Sequence, residues 1–224
     1  MPRIDTPLSD VFPAYDDLMA DPDRRRITVE HAPTMTMGLE WNESDFPYGS
    51  SRNSETAMWG APDKYRYVLR QSIVADPGNS FQYSGGATVL LGDFITRGVG
   101  KSLLEYATKK LFDPMSITDV KWTKVRGDED PAGGLRMKPR ELAKIGQLVL
   151  NQGRWKGNQI VPQKWLESSF QESATVDEKF KYGYQWWLGP YDQRTRNIGI
   201  DRLISEYGHE RTPPYIGNLL NKKL

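Results

Sequence analysis

The side chains able to do acid–base or covalent chemistry in this sequence are few. There is no cysteine, which excludes a thiolate nucleophile, a thiolate metal site and disulfides. The two histidines are His31 and His209; a histidine metal site would need both plus carboxylates, and their spacing does not suggest one. His31 reads as a structural hydrogen-bonding residue and His209 as a solvated one. The stretch Tyr83-Ser84-Gly85-Gly86 places a phenol beside a hydroxyl. Adjacent residues seldom face one another, so Ser84 is a poor candidate for a nucleophile served by Tyr83. Gly85-Gly86 lacks the following Lys-Ser/Thr of a phosphate loop. Asp128-Glu129-Asp130 is an acidic turn with too few regularly spaced oxygens for a calcium loop, and is expected to be solvated. Trp41, Trp59, Trp186 and Trp187 could line a pocket, although aromatics at such spacing more often fill a core. No metal or cofactor is implied.

The 224 residues suffice for one domain, or two small ones. Lys plus Arg is 30 against 29 for Asp plus Glu, a net charge of +1. That leaves no global field for nucleic acid or an anionic membrane. Hydrophobic residues make up 38%, so the core is lean for the length. No run approaches the roughly 18 apolar residues of a membrane span. The opening Met1-Pro2-Arg3-Ile4-Asp5 has no apolar core, so no signal peptide is expected, and the chain as written reads as cytoplasmic.

The elements that must position these groups are mainly helical. Residues 1–26 are broken by Pro2, Pro7, Pro13 and Pro22 and end in Arg24-Arg25-Arg26, a solvated basic turn. Thr28 is a candidate cap for a helix limited by Pro33 and stopped at Gly38, and residues 42–61 read as a long surface loop. Periodicity and caps predict helices over 62–72, 87–97, 103–111, 140–151 and 163–170. Ser102-Leu103-Leu104-Glu105 fits a capping box. Leu90, Leu91, Ile95, Leu104, Leu142, Ile145 and Trp165 are the expected core. The aromatic run 182–188 favours a strand. From about Asn197 the periodicity is lost, and Pro213-Pro214 breaks any strand there. Residues 198–224 are therefore expected to pack irregularly.

Pro77-Gly78-Asn79-Ser80-Phe81-Gln82-Tyr83-Ser84-Gly85-Gly86-Ala87 resembles the second motif of the β-lactamase-related serine hydrolases, the class C β-lactamase and penicillin-binding-protein-like family. Flanking pieces agree in order. Thr34-Met35-Thr36-Met37-Gly38-Leu39 is similar to that family's "T-M-T-S-G-L", and Leu111-Phe112-Asp113-Pro114-Met115-Ser116-Ile117 to its "L-F-x-P-L-G-I". Gly133-Gly134-Leu135 leading to Pro139, Gly153-Arg154-Trp155, Ile160-Val161-Pro162 and Tyr182-Gly183-Tyr184-Gln185-Trp186-Trp187 complete the series. Any one piece is weak; the ordered set over residues 5–190 is specific.

The resemblance implies an α+β fold of the β-lactamase/transpeptidase type, here a fragment with a helix-rich subdomain and a few antiparallel strands. It implies a partial hydrolase domain over 1–196, then a divergent or out-of-frame tail over 197–224. It implies an acyl-serine mechanism on small-molecule amide or ester substrates, with three elements: Ser-x-x-Lys, a general-base tyrosine and a Lys/His-x-Gly strand. Tyr83 matches the tyrosine, and Trp41, Gly85 and Trp186 are candidate substrate contacts. None of the 14 serines has lysine three positions later, and Glu206-Tyr207-Gly208-His209-Glu210-Arg211 is only a distant match to the third element. The expectation is a truncated, inactive hydrolase; the alternative is a non-catalytic helical binding module derived from the fold. Intact relatives are often exported.

Overall fold

The computed structural model describes residues 3–189. The proline-broken N-terminal stretch forms single turns: α1 (Leu8–Val11), a 3-10 turn at Pro13–Tyr15, and α2 (Pro22–Arg25), where Asp21 accepts from the Asp23 N–H at 3.0 Å. The helix expected from Thr28 is one 3-10 turn, Val29–His31. Pro33 ends it, and His31 Nδ1 accepts from the Thr28 N–H at 3.0 Å.

Residues 42–61, read as a loop, instead contain α3 (Ser54–Gly60). Its cap is Asn53, fully buried, whose Oδ1 accepts from the Thr56 N–H at 3.1 Å while Nδ2 donates to the carbonyls of Glu43 and Phe46. The helix buries only Met58, so it has no apolar period to betray it. In α4 (Lys64–Leu69) the cap is Asp63, one residue past the expected Pro62, and Val68 and Leu69 point inward.

The long helix α5 (Gly85–Val99) starts two residues before the predicted 87. Ser84 Oγ accepts from the Ala87 N–H at 3.1 Å, and Gly100, at φ +64°, takes the left-handed turn that ends the helix. The helix α6 (Leu103–Ala107) has the predicted capping box, Glu105 N–H to Ser102 Oγ at 3.2 Å and Ser102 N–H to Glu105 Oε2 at 3.1 Å. It runs on as a π turn over Thr108–Phe112.

The strands are short and antiparallel. They are β1 (Val120–Trp122) with β4 (Leu135–Met137), β2 (Lys124–Val125) with β3 (Asp128–Glu129), and β5 (Arg154–Trp155) with β6 (Asn158–Gln159). The helices α7 (Pro139–Leu150) and α8 (Gln163–Ser169) lie where periodicity put them. The last sheet is three-stranded, β7 (Ala174–Thr175), β8 (Lys181–Tyr182) and β9 (Trp187–Leu188), in that order. The fold is α+β.

One core gathers the N-terminal turns, α3, α4 and the inner face of α5 around Met19, Ile27, Met35, Trp41, Met58, Leu69, Leu90 and Tyr182. A second joins Phe112, Met115 and Ile117 to Leu148 of α7, with Ile145 packed against it.

Further readings need correction. Ile95 and Leu104, expected in the core, are only partly buried, and Leu103 takes the inward place in α6. Leu142 is 60% exposed, because α7 meets its core through Ile145 and Leu148. Trp165 is 51% exposed, because the neighbouring Leu166 takes the inward position of α8. Glu129, expected to be solvated, is buried in β3, with Lys124 of β2 3.4 Å away. Residues 182–188 are a hairpin, β8 to β9, turning through Gln185 at φ +61°. The tail 197–224, with His209, lies outside the described residues.

Candidate functional site

Tyr83 stands on the turn that feeds α5, 41% exposed. Its ring lies 5.8 Å from the Trp187 ring at 31°. Trp187 of β9 is itself surrounded by Phe81 at 5.7 Å, Tyr182 at 5.3 Å and Phe180 at 6.4 Å. An aromatic wall therefore stands on one side of the phenol.

Two carboxylates lie against Gly85, two places after the phenol. Glu43 Oε1 accepts from the Gly85 N–H at 2.5 Å and from the Trp41 indole N–H at 2.5 Å. Glu55 of α3 lies against the same glycine: a Cβ on Gly85 would be 2.9 Å from Glu43 Oε1 and 3.1 Å from Glu55 Oε2. Burial and the Glu43 charge push the Glu55 carboxyl up to about 7. Both carboxylates sit at the N-terminus of a 15-residue helix, where backbone N–H groups favour negative charge. Tyr83 is also pushed above the ordinary phenol value, by burial first and then by Glu43 and Glu55. In these surroundings it is a phenol that can donate a proton; holding it as phenolate requires a cation nearby.

The structure gathers the predicted site residues unevenly. Gly85 and Tyr83 are together, and Gly85 contributes its backbone N–H to Glu43. Trp41 is 5% exposed, inside the core; its ring packs edge-on to Tyr67 at 6.2 Å and lies under Gly86, where a Cβ would be 2.6 Å from Cη2. Trp186 packs on Phe170 at 4.9 Å, and the tryptophan beside Tyr83 is Trp187. Ser84 is occupied as the cap of α5. Glu43 and Glu55 were missed by sequence reasoning: they sit in a Ser-, Asn-, Gly- and Pro-rich stretch, 12 positions apart, and carry no motif. Asn53, with Thr56 three places on, was the one local signal that α3 exists.

A separate cavity of about 510 Å³ is lined by Lys64, Asp93, Arg97, Lys101, Glu105 and Asp128, among others. Among its charges, Lys64 pairs with Asp128 at 2.8 Å and Arg97 with Asp93 at 2.7 Å. Tyr83 does not line it. Among the described residues no group of three or more His, Asp or Glu side chains is arranged to hold a metal ion, and no helix is long and apolar enough to cross a membrane.

The family model described as Beta-lactamase matches residues 3–217, and the chain belongs to this β-lactamase and penicillin-binding-protein-like family of serine hydrolases. It is 25% identical over 198 residues to the 6-aminohexanoate-dimer hydrolase of Paenarthrobacter ureafaciens, covering 74% of this chain and 47% of that protein. It is 25% identical over 138 residues to the lovastatin esterase of Penicillium rubens, covering 59% of this chain and 33% of the esterase. The penicillin binding protein of Bacillus halodurans superposes with a TM-score of 0.64 at 15% identity, over 85% of this chain and 64% of that one. The last likeness shows the fold. The chain spans about half, or less, of the length of the curated relatives it matches.

Proposed function

We propose that these residues form the tyrosine side of a serine acyl-hydrolase site that acts on amide or ester bonds of small molecules through an acyl-serine intermediate. The observation that carries the reading is the placement of Tyr83: half-exposed, at the head of α5, between an aromatic wall and a helix N-terminus. The names of the two curated relatives, an amide-oligomer hydrolase and an esterase, support the bond types.

In such a reaction the serine oxygen attacks the carbonyl and its proton must reach the leaving group. Tyr83 is suited to the second half of that transfer, because burial, and then Glu43 and Glu55, favour its protonated form. A general-base role for Tyr83 needs a lysine or similar cation beside it, and no serine of the 224 residues is followed by lysine at the third position. We therefore propose that the 224 residues alone do not turn over substrate. Loss of the nucleophile in a serine hydrolase costs about 10⁶ in kcat.

The test is incubation of the chain with a fluorophosphonate probe, a chromogenic cephalosporin and a short p-nitrophenyl ester. The expected result is no labelled serine and no turnover, for the chain and for Tyr83→Phe alike. Stoichiometric labelling of one serine, or ester cleavage lost in Tyr83→Phe, overturns the inactivity and identifies a working nucleophile. A second reading, a non-catalytic binding module, is favoured by the half-exposed Trp165, Trp186 and Trp187. Saturable quenching of tryptophan fluorescence by a short amide oligomer, without turnover, would select it.

A further inference from the structure

The outer face of α7 is apolar where a surface helix is ordinarily polar. Ile145 and Leu148 turn into the second core. The charges Glu141 and Lys144 are drawn toward the body as well: they pair at 2.8 Å, and Lys144 donates to the Ser116 carbonyl at 2.7 Å. What is left facing outward is Pro139, Leu142, Ala143, Gly146, Gln147 and Leu150, all exposed, with glutamine the one polar side chain among them. Their spacing of three and four puts them on one side of the helix. Leu142 is 60% and Leu150 66% exposed. A contiguous apolar face of this kind marks an interaction surface.

Gly146 lies at the centre of that face. Its backbone is helical and not left-handed, so its conformation does not require glycine. Among the described residues, a Cβ at Gly146 would meet nothing within 4 Å. The packing described for this chain therefore has no use for a glycine at a place where alanine makes a more stable helix. A bare Cα there serves the close approach of another backbone. Leu142 and Leu150 stand four positions before and four after Gly146, about 6 Å along the axis on either side. A twofold axis meeting the helix at Gly146 brings Leu142 to the level of Leu150 of the partner subunit, and Leu150 to the level of the partner's Leu142. That reciprocity is what an isologous contact demands. An open hollow of about 380 Å³, lined in part by Leu150, gives the incoming Leu142 its place.

We propose that the outer face of α7 is a homodimer surface, on which a second copy of the chain lays its own α7 antiparallel across a twofold at Gly146. Six residues a side is far short of the roughly 20–30 of a standard interface, so the dimer is weak, with a dissociation constant on the order of 10–100 μM. One end of the face carries the basic Arg140 and the other Arg154 and Lys156. The antiparallel pair brings these ends together. Association is therefore driven by apolar burial, against a charge repulsion that salt screens.

The first experiment is sedimentation velocity of the full chain from about 5 to about 500 μM, a range that brackets the expected constant. The expected result is a monomer that passes to a dimer, at lower concentration in high salt than in low. Gly146→Lys sets two ammonium groups against each other at the axis and is expected to weaken association at least about tenfold. Its melting temperature is expected to be no lower than that of the wild type, because the position is open and lysine favours helix. The chain has no cysteine, so single introduced thiols report without background. Gly146→Cys is expected to form a disulfide-linked dimer under mild oxidation. Ala143→Cys is expected not to, because its counterpart across the twofold lies about 9 Å along the axis, beyond disulfide reach. Maleimide labelling of Gly146→Cys is expected to slow as protein concentration rises. A chain still monomeric at the highest concentration, association unchanged in Gly146→Lys, or equal linking at both positions overturns the proposal. So does a Gly146→Cys thiol protected equally at every concentration, which would show that another part of the same chain covers the face. If Gly146→Lys fails to fold, the two cysteine variants decide.

Discussion

Tyr83 and Trp187 lie 104 positions apart and stack with ring centroids 5.8 Å apart. The pair joins the turn before α5 to the last described strand, so one wall beside the phenol is built by the sheet. Trp187 touches three further rings while remaining 53% exposed. Trp187→Ala is expected to cost about 1–3 kcal/mol, less than the roughly 3–5 kcal/mol of a fully buried tryptophan. Urea unfolding followed by far-UV circular dichroism measures it, and a loss below about 0.5 kcal/mol would show that the ring is not packed.

Ser84 tests whether the hydroxyl beside Tyr83 is a cap or a nucleophile. Its oxygen already accepts the Ala87 N–H at 3.1 Å. Ser84→Ala is expected to cost about 1 kcal/mol and Ser84→Asp to restore most of it, because aspartate caps equally well. Thermal melts of the three proteins give the order. A cap and a nucleophile separate cleanly here, since aspartate cannot replace an attacking serine.

The Glu55 carboxyl, at about 7 against an ordinary 4.5, makes stability depend on pH. The folded chain binds the proton more tightly than the unfolded chain. This contribution is therefore complete below pH 4.5 and is lost as pH rises through about 7. Denaturation midpoints at pH 5, 6, 7 and 8 should fall across that window in the wild-type chain and fall less in Glu55→Gln. Parallel slopes for the two proteins would count against the shift.

His31 has the opposite sign. Burial holds its imidazole below the ordinary value of 6.5, and Nδ1 must be unprotonated to accept the Thr28 N–H. The stability it supplies is complete above pH 6.5 and is lost as pH falls below that value. Long-range ¹⁵N–¹H spectra should show the Nε2-protonated neutral tautomer at pH 7. A signal from the Nδ1-protonated form would contradict the bond.

The helices were legible where an apolar stripe and a cap coincided. In α5 the expected stripe delivers Leu90 to the core, although the Ser84 cap went unread and the start was placed two residues late; in α6 the Ser102–Glu105 box forms as read, but Leu103 and not the expected Leu104 is the buried residue. Legibility failed where burial depends on what packs opposite. Leu142 and Ile145 occupy the same helical stripe, yet only Ile145 meets the Phe112, Met115 and Ile117 cluster. It failed also for polar anchors. Asn53, Glu43 and Glu55 are held by hydrogen bonds to backbone and indole groups, which leave no hydrophobic period in the chain. Tyr83 could be singled out from its motif; the carboxylates at Gly85 could not, because their closeness is created by the fold of 42–61 over the start of α5.

The hairpin that carries Trp187 is moored to the far end of the chain. Tyr184 donates its hydroxyl to Glu30 across 154 positions, Gln185 donates its N–H to the Pro33 carbonyl at 2.8 Å, and Thr88 reaches the Gln185 side chain at 3.0 Å. Closing so long a loop costs entropy that no local contact returns, so such contacts form slowly compared with helices. During synthesis α5 and its Tyr83 turn leave the ribosome about a hundred residues before the hairpin does. For that interval Tyr83 is present without its aromatic wall, and the phenol acquires its final surroundings only when the last strands dock on residues 30–33.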